Sequence, residues 1–214
     1  TERGLASGRP GAGNTWSFEI RGPERVWGVA VGSAGQVWFG CNQGLCRLQE
    51  GKLTEGDPPV RSGRWSALLF DLEENHWVHS GAAVLKVTPA TQVREELAVN
   101  AATAALALDE KGGLIATAAG GVALRTPAGW ERVDAAKGLP ADGVTALLAD
   151  REGSLWLGLA GAGLARWVGD RGWRTYLRGS AIIALHASGD GSLLAATRAA
   201  ALRGRKSGAD WAFS

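Results

Sequence analysis

The stretch GLPADGVTALLADREGSLWLGLAGAGLARW, residues 138–167, contains three short apolar segments separated by turns. The first, residues 144–149, lies between Asp-Gly and Asp-Arg-Glu-Gly, which is typical of a buried strand between turns. The second, residues 155–157, is separated from the third, residues 164–167, by Gly-Ala-Gly, which favours a reversal of the chain. The stretch therefore predicts a three-stranded β-meander.

The same pattern recurs along the chain with a nearly constant period. Each copy has an apolar strand, a turn, a second strand and a Gly/Ala-rich turn, and 38 to 41 residues separate the anchor positions of consecutive second strands: Trp38, Trp77, Ile115, Trp156 and Leu194. Each copy then has a strand ending near a basic residue: Arg47, Lys86, Arg125, Arg166 and Arg203. A period near 39 is typical of propeller blades, because one small twisted sheet buries both faces only when neighbours pack on it.

The predicted fold is all-β: a β-propeller of four-stranded antiparallel blades. Aromatic residues mark the outermost strands, at Trp130, at Trp173 with Tyr176, and at Trp211 with Phe213. The Gly-rich, polar residues 1–15 are predicted to be a flexible lead-in, and residues 16–214 to be propeller. The predicted repeats are 22–60, 61–99, 100–138, 139–178 and 179–214.

The acidic turn within the repeat is interpreted as structural. Asp71, Asp109 and Asp150 hold equivalent places, where a carboxylate can accept backbone N–H bonds. Gly153 is expected to supply the positive φ that closes the hairpin turn.

Composition excludes several classes of function. The 214 residues carry a net charge of +2, with no basic run interleaved with aromatics, so neither nucleic acid nor an anionic membrane is an expected partner. No apolar run approaches the roughly 18 to 20 residues of a membrane span. The polar residues at the start of this sequence are not expected to be a signal peptide. Methionine is absent, even at position 1, so we expect a segment of a longer product.

The two cysteines, Cys41 and Cys46, flank the turn of CNQGLC. They face each other across a hairpin, so they could form a disulfide suited to an oxidising compartment, or remain two buried thiols. Without nearby histidines they do not indicate a zinc site.

Residues 138–167 closely resemble the two-component regulator propeller repeat. The positions that match its pattern in order are Gly138, Leu139, Pro140, Val144, Asp150, Gly153, Leu155, Trp156, Gly158, Gly163, Leu164 and Arg166. The first repeat matches at Gly35, Trp38, Gly40, Gly44, Leu45 and Arg47, and the other three are degenerate. The resemblance implies a periplasmic or extracellular sensor region, part of a seven-bladed ring, in a regulator of the hybrid histidine kinase or diguanylate cyclase type.

The matching positions are turn and packing residues, so the resemblance carries over no binding residue. We expect the ligand on the face opposite the aspartate turns, where the loops differ most between repeats. Arginines and an aromatic ring there suit an anionic or carbohydrate ligand, although solvated loop arginines are the alternative. The candidates are Asn42, Gln43, Arg64, Trp65, His79, Arg178 and Arg198. A protein partner is the other expectation for this face.

An enzyme is the less favoured interpretation. The VWFG and LWLG strands are also similar to those of streptogramin lyase propellers, whose chemistry would need a histidine base and a carboxylate-held metal. His76 and His79 are three residues apart on one strand, hence on opposite faces, and His186 lies within an inner strand. We therefore expect a binding module with no catalysis, metal or cofactor. A lyase-like enzyme and a purely structural interaction platform are the alternatives.

The two ends of the chain occupy the same phase of the repeat. Trp16 and Trp211 are separated by five periods of 39 residues, and both lie in sequences typical of an outermost strand. A five-bladed ring would leave one copy redundant, so we expect further repeats in the parent protein. An open arc would expose apolar blade faces, which favours association between copies.

Overall fold

The computed structural model describes residues 4–11, 13, 15–21, 25–42, 44–55, 60, 63–88, 90, 93–140, 142–168 and 172–214. Within this part of the chain the regular structure is almost entirely strand, and a turn of 3₁₀ helix spans Ala135–Lys137. None of the helical structure found there has the length and hydrophobicity to cross a membrane.

Five four-stranded sheets follow one another along the chain, each built from consecutive strands, and are called the first to fifth sheets. The first sheet consists of β3 (Val29–Val31), β4 (Val37–Cys41), β5 (Gly44–Gln49) and β6 (Lys52–Glu55). The second consists of β7 (Ala67–Phe70), β8 (His76–His79), β9 (Ala83–Val87) and β10 (Val93–Ala98). The third consists of β11 (Leu106–Leu108), β12 (Leu114–Ala118), β13 (Gly121–Thr126) and β14 (Gly129–Asp134). The last two consist of β15 (Val144–Ala149), β16 (Leu155–Leu159), β17 (Leu164–Trp167) and β18 (Trp173–Tyr176); and β19 (Ala184–Ala187), β20 (Leu193–Ala196), β21 (Ala201–Ser207) and β22 (Asp210–Phe213).

The strands are antiparallel and the predicted meander is confirmed. In the fourth sheet Trp156 of β16 lies opposite Leu148 of β15 and Arg166 of β17, and Arg166 lies opposite Arg174 of β18. The predicted all-β class and four-stranded antiparallel sheets are therefore correct, and each sheet falls within the residue range expected for its repeat.

The second strand of a sheet is its most buried element. Every residue of β8, β12 and β16 is buried. Because both faces of such a strand are covered, apolar residues follow one another without alternation, as in LWLGL of β16. This strand therefore shows most clearly in the sequence.

The chain divides into two compact units, residues 1–80 with 85–96, and residues 81–84 with 97–214. The core of the first unit includes Trp38, Leu45, Trp65 and Val78. The second unit has two clusters. One contains Val122, Val133, Val144, Leu157 and Leu159, and the other contains Trp156, Leu164, Ile182 and Leu193.

The predicted flexible lead-in is not what the structure shows. β1 (Leu5–Pro10) pairs along its whole length with β2 (Trp16–Arg21), from Leu5 opposite Arg21 to Pro10 opposite Trp16. The sequence LASGRP has low strand propensity, so its extended conformation depends on this pairing. β2 is the predicted strand around Trp16, and β1 and β2 together form a two-stranded sheet.

Two further details sharpen the sequence interpretation. Cys41 and Cys46 form a disulfide, and both residues are buried.

Trp173 and Tyr176 lie on opposite faces of β18, because three residues along a strand reverse the side. Trp173 packs on Trp167, at 5.0 Å between ring centroids, whereas Tyr176 packs on Trp156 at 5.6 Å.

Candidate functional site

The aspartate of the repeat closes the turn between the first two strands, as predicted. Asp150 Oδ1 accepts hydrogen bonds from the backbone N–H groups of Glu152 at 3.0 Å and Ser154 at 2.8 Å. Gly153 has φ +75°, the left-handed conformation that glycine adopts without strain. These are the contacts of a hydrogen-bonded turn.

Asp71 and Asp109 make the same backbone contacts in their own sheets. Asp109 Oδ1 accepts from the N–H groups of Lys111 at 2.8 Å and Gly113 at 2.7 Å. Burial raises the pKa of Asp71, but hydrogen bonds from Asn75 and Trp77 outweigh it, so its pKa lies below the ordinary value. Asp71 is thus held as a carboxylate by structural contacts.

The second oxygen of the aspartate has a partner that the sequence interpretation missed. Asp150 Oδ2 accepts from Trp156 Nε1 at 2.8 Å, and Asp71 Oδ2 accepts from Trp77 Nε1 at 2.9 Å. The signal was a spacing of six residues between aspartate and tryptophan. Where Gly32 replaces the aspartate, the buried Nε1 of Trp38 has no hydrogen-bond partner among the described residues.

The basic residue after the Gly-Leu turn also has a structural role. Arg166 lies 5.3 Å from the ring centroid of Trp156, and Arg47 lies 5.3 Å from that of Trp38. Lys86 is 5.4 Å from the ring centroid of Trp77. A cation at this distance over an indole face is favourable. The aspartate after the first strand, the indole of the second and the cation of the third therefore contact one another in sequence. We call this set of contacts the lock, because it joins the three strands.

The other end of each sheet carries the loop that enters its first strand and the turn between its second and third strands. We call this the loop end, and the end with the aspartate turns the turn end. In the fourth sheet Asp142 Oδ2, in the entering loop, accepts from the N–H groups of Gly161 and Ala162, both at 2.7 Å. These backbone donors outweigh burial and lower the pKa of Asp142. The two loops of this sheet are thus joined by hydrogen bonds.

The structure removes two residues from that predicted face. Trp65 is 1% exposed and belongs to the core of the first unit, and His79 is fully buried at the end of β8. Neither side chain can reach a ligand at the surface. A position in or beside a loop does not by itself fix the side to which a side chain turns, and both of these turn inward.

The remaining candidates are at the surface, although Gln43 lies outside the described residues. Asn42, Arg64, Arg178 and Arg198 are exposed. Arg178 Nε donates to Thr175 Oγ1 at 3.0 Å. The side chains of Arg64 and Arg198 have no hydrogen bond or ion pair within the described part of the chain. No contact among the described residues joins these four side chains directly.

Sequence reasoning also missed a groove at the turn end of the fourth sheet. It has a volume of about 430 Å³ and is lined in part by Glu152, Arg166, Trp167 and Arg174. Arg166 donates to Ser154 Oγ at 2.8 and 3.2 Å. The feature that points to the groove is the register of β17 and β18, which places Arg166 and Arg174 opposite each other.

The charges of this groove already have partners within the chain. Arg174 lies 3.4 Å from Asp210 and Glu152 pairs with Lys206. Burial and a hydrogen bond to the Asp210 carboxylate raise the pKa of Tyr176. A ligand here would compete with existing contacts, whereas the Arg198 side chain has no hydrogen bond or ion pair to another described residue.

The histidines do not form a cluster. His76 is 8% exposed and packs between Trp38 and Phe70, with ring centroids 4.4 and 4.5 Å away. His186 is exposed on β19. Within the described ranges no three His, Cys, Asp or Glu side chains are placed to hold a metal ion.

Residues 138–161 match the family model described as two component regulator propeller. A catalytically inactive virginiamycin B lyase from Staphylococcus aureus with quinupristin is structurally similar, with a TM-score of 0.75 and 15% identity over 97% of this chain and 76% of that one. No curated protein matches the sequence.

Extracellular domains of B. thetaiotaomicron signalling proteins are similar as well. One, from a one component system, has a TM-score of 0.71 and 16% identity over 92% of this chain and 29% of that one. Another, from a hybrid two component system, has a TM-score of 0.67 and 15% identity over 80% and 26%. The fold of the chain is therefore a β-propeller.

Proposed function

Because the chain is a β-propeller that carries a two-component regulator propeller repeat, we propose that it is an extracytoplasmic recognition domain of a signal-transduction regulator. It binds a ligand or partner and does not transform it. The similar extracellular signalling domains support this proposal. The buried Cys41–Cys46 disulfide supports it too, because disulfides persist mainly in oxidising compartments.

The observation that carries the binding role is a difference between the two ends of the sheets: the motif side chains contact one another at the turn end, whereas arginines are exposed at the loop end. At the turn end, aspartate, tryptophan and the basic residue are used in holding strands together. At the loop end of the fifth sheet, Arg178 lies in the entering loop and Arg198 in the turn between β20 and β21. Both guanidinium groups are exposed on a rigid scaffold, where variable loops usually bind.

The chemistry of this surface favours an anionic ligand. A guanidinium group presents a planar fork of donors that matches a carboxylate or phosphate. We therefore place the ligand of the fifth sheet at Arg178 and Arg198, and its class as a carboxylated sugar or a similar small anion.

The test compares a carboxylated probe with an uncharged one. An oligogalacturonate hexamer should bind in calorimetry, and a neutral malto-oligosaccharide of the same length should bind more weakly. Arg198→Ala and Arg178→Ala should each weaken oligogalacturonate binding roughly tenfold, because each removes a charge-assisted hydrogen bond. Arg174→Ala, at the groove of the turn end, is the matched control and should leave the affinity unchanged.

Two results would contradict the proposal. If Arg174→Ala abolished binding while the loop-end variants bound normally, the turn-end groove would be the site. If the chain converted quinupristin to a product with a different chromatographic retention time, its role would be catalytic. The similarity to the lyase is one of fold. His76 and His79 are buried, whereas the exposed His186 lies on β19.

A further inference from the structure

The β1–β2 hairpin has one face made only of apolar residues. Trp16, Phe18 and Ile20 alternate along β2, so they share a face, and they are 60, 70 and 58% exposed. Opposite them on β1 lie the small residues Pro10, Gly8 and Ala6. The rings of Trp16 and Phe18 are stacked, with centroids 6.4 Å apart. We call this surface the hairpin face.

The reverse side of the hairpin packs on the first sheet at one end. Leu5, on that side, packs against a cluster of the first sheet that includes Val26 and Phe39. An isolated two-stranded sheet is marginal in water, so this packing helps to hold the hairpin in place. The hairpin face is left as an exposed row of large apolar side chains, which commonly marks an interaction surface.

The fifth sheet shows what such a row packs against. Its last strand, β22, repeats the motif of β2, with Trp211 and Phe213 at the positions of Trp16 and Phe18. Those two rings lie against Trp156 of the preceding sheet, with centroids 5.1 and 6.5 Å away. Arg166, from the same preceding sheet, lies 6.0 Å from the ring centroid of Trp211. The motif is thus covered by a sheet that presents an apolar residue and a neighbouring arginine.

The fifth sheet itself presents that pair on its outer face. Leu194 and Arg203 occupy the repeat positions of Trp156 and Arg166, and they lie opposite each other on β20 and β21. Leu193 and Ala195 turn to the other side, into the core shared with the fourth sheet. On the outer face Arg203 and His186 are exposed and Leu194 is half-buried. We call this surface the sheet face.

We propose that the hairpin face of one copy of the chain packs on the sheet face of a second copy, head to tail. Trp16 stacks on the partner's Arg203 as Trp211 stacks on Arg166. The two surfaces are chemically complementary, because the hairpin face has aromatic rings and the sheet face has the exposed guanidinium of Arg203. Arg203 also lies 3.8 Å from Asp190 and, with 46% of its side chain exposed, keeps a surface for an aromatic ring. The contact joins two different surfaces, so it is heterologous.

The experiment measures association by sedimentation equilibrium over a range of protein concentrations. The wild-type chain should show a mass that rises with concentration. Phe18→Asp should weaken association roughly tenfold or more, because it places a charge in a buried apolar contact. Arg203→Glu should weaken it similarly, because it removes the cation. Ser17→Asp, on the reverse side of β2, is the matched control and should associate like the wild type.

Mixing the two variants tests the head-to-tail geometry. The Phe18→Asp copy retains an intact sheet face, and the Arg203→Glu copy retains an intact hairpin face. An equimolar mixture should therefore form 1:1 dimers at a concentration at which each variant alone is mostly monomeric. Circular dichroism should show the wild-type β spectrum for both, since Phe18 and Arg203 are exposed.

Three outcomes would overturn the proposal. The first is a wild-type chain that remains monomeric at every concentration. The second is a Phe18→Asp variant that no longer associates together with an Arg203→Glu variant that associates like the wild type, which would indicate contact between two hairpin faces. The third is failure of the mixture to restore dimers.

Discussion

At the scale of single residues, the aspartate of the repeat combines two roles. It accepts backbone N–H bonds that close a turn, and in two sheets it also accepts an indole N–H from the next strand. The third sheet separates these roles, because Asp109 closes the turn while Ile115 stands at the tryptophan position.

Asp150→Ala should lower the free energy of unfolding by about 2 to 3 kcal/mol, since it removes two backbone contacts and leaves Trp156 Nε1 buried without a partner. Asp109→Ala should cost only about 1 kcal/mol, because it removes backbone contacts alone. Urea unfolding of both variants measures the difference. Equal losses would show that the indole bond contributes nothing.

At the scale of the hairpin, one turn departs from its counterparts. The residue that closes the turn between the first two strands is Gly35, Gly112, Gly153 or Gly191 in four sheets, with φ between +75° and +80°. In the second sheet it is Glu74, with φ +61°. A residue with a Cβ is disfavoured in this conformation.

Glu74→Gly should therefore raise the free energy of unfolding, by about 0.5 to 1 kcal/mol, through relief of backbone strain. Gly191→Ala is the reciprocal control, because an added Cβ there meets no atom within 4 Å and only φ is penalised. It should lower the midpoint of thermal unfolding. A Glu74→Gly variant less stable than the wild type would show that the Glu74 side chain outweighs the strain.

Much of the strand arrangement within each repeat was predictable from the sequence. The turn residues and the fully buried second strands fixed the order and pairing of strands in every repeat. β1 was not predictable, because Ala6, Ser7 and Gly8 have no strand preference and only pairing with β2 extends them. The site was less predictable still. The loop position of Trp65 is correct, but the direction of its ring depends on packing from other strands.

At the scale of the whole molecule, acid should weaken the fold through His76. Burial lowers the pKa of His76, and the Val87 carbonyl, Glu74 and Asp71 offset this only in part. The folded state therefore holds a neutral imidazole, whereas the unfolded chain binds a proton near pH 6.5. The stability is fully present above that pH and is lost as the pH falls toward the lowered pKa.

We expect the free energy of unfolding to fall by roughly 1 kcal/mol per pH unit below pH 6.5. His76→Phe should reduce this slope, as measured by urea unfolding at pH 7.5, 6.5 and 5.5. His186→Gln is the control and should retain the wild-type slope, because His186 is exposed. An unchanged slope in His76→Phe would assign the acid sensitivity to the carboxylates.

The lock of aspartate and tryptophan also constrains how repeats diverge. A repeat that loses its tryptophan first, as the third sheet illustrates with Ile115, keeps the hydrogen bonds of its aspartate turn and has no indole N–H left without an acceptor. A repeat that loses its aspartate first, as the first sheet illustrates with Gly32, keeps a buried indole N–H without an acceptor. The fifth sheet lacks both, and Asp190 instead accepts from the Ser192 N–H at 3.0 Å. Both kinds of loss occur in this chain, and the loss of the aspartate is expected to be the more costly, because it leaves a buried donor without an acceptor.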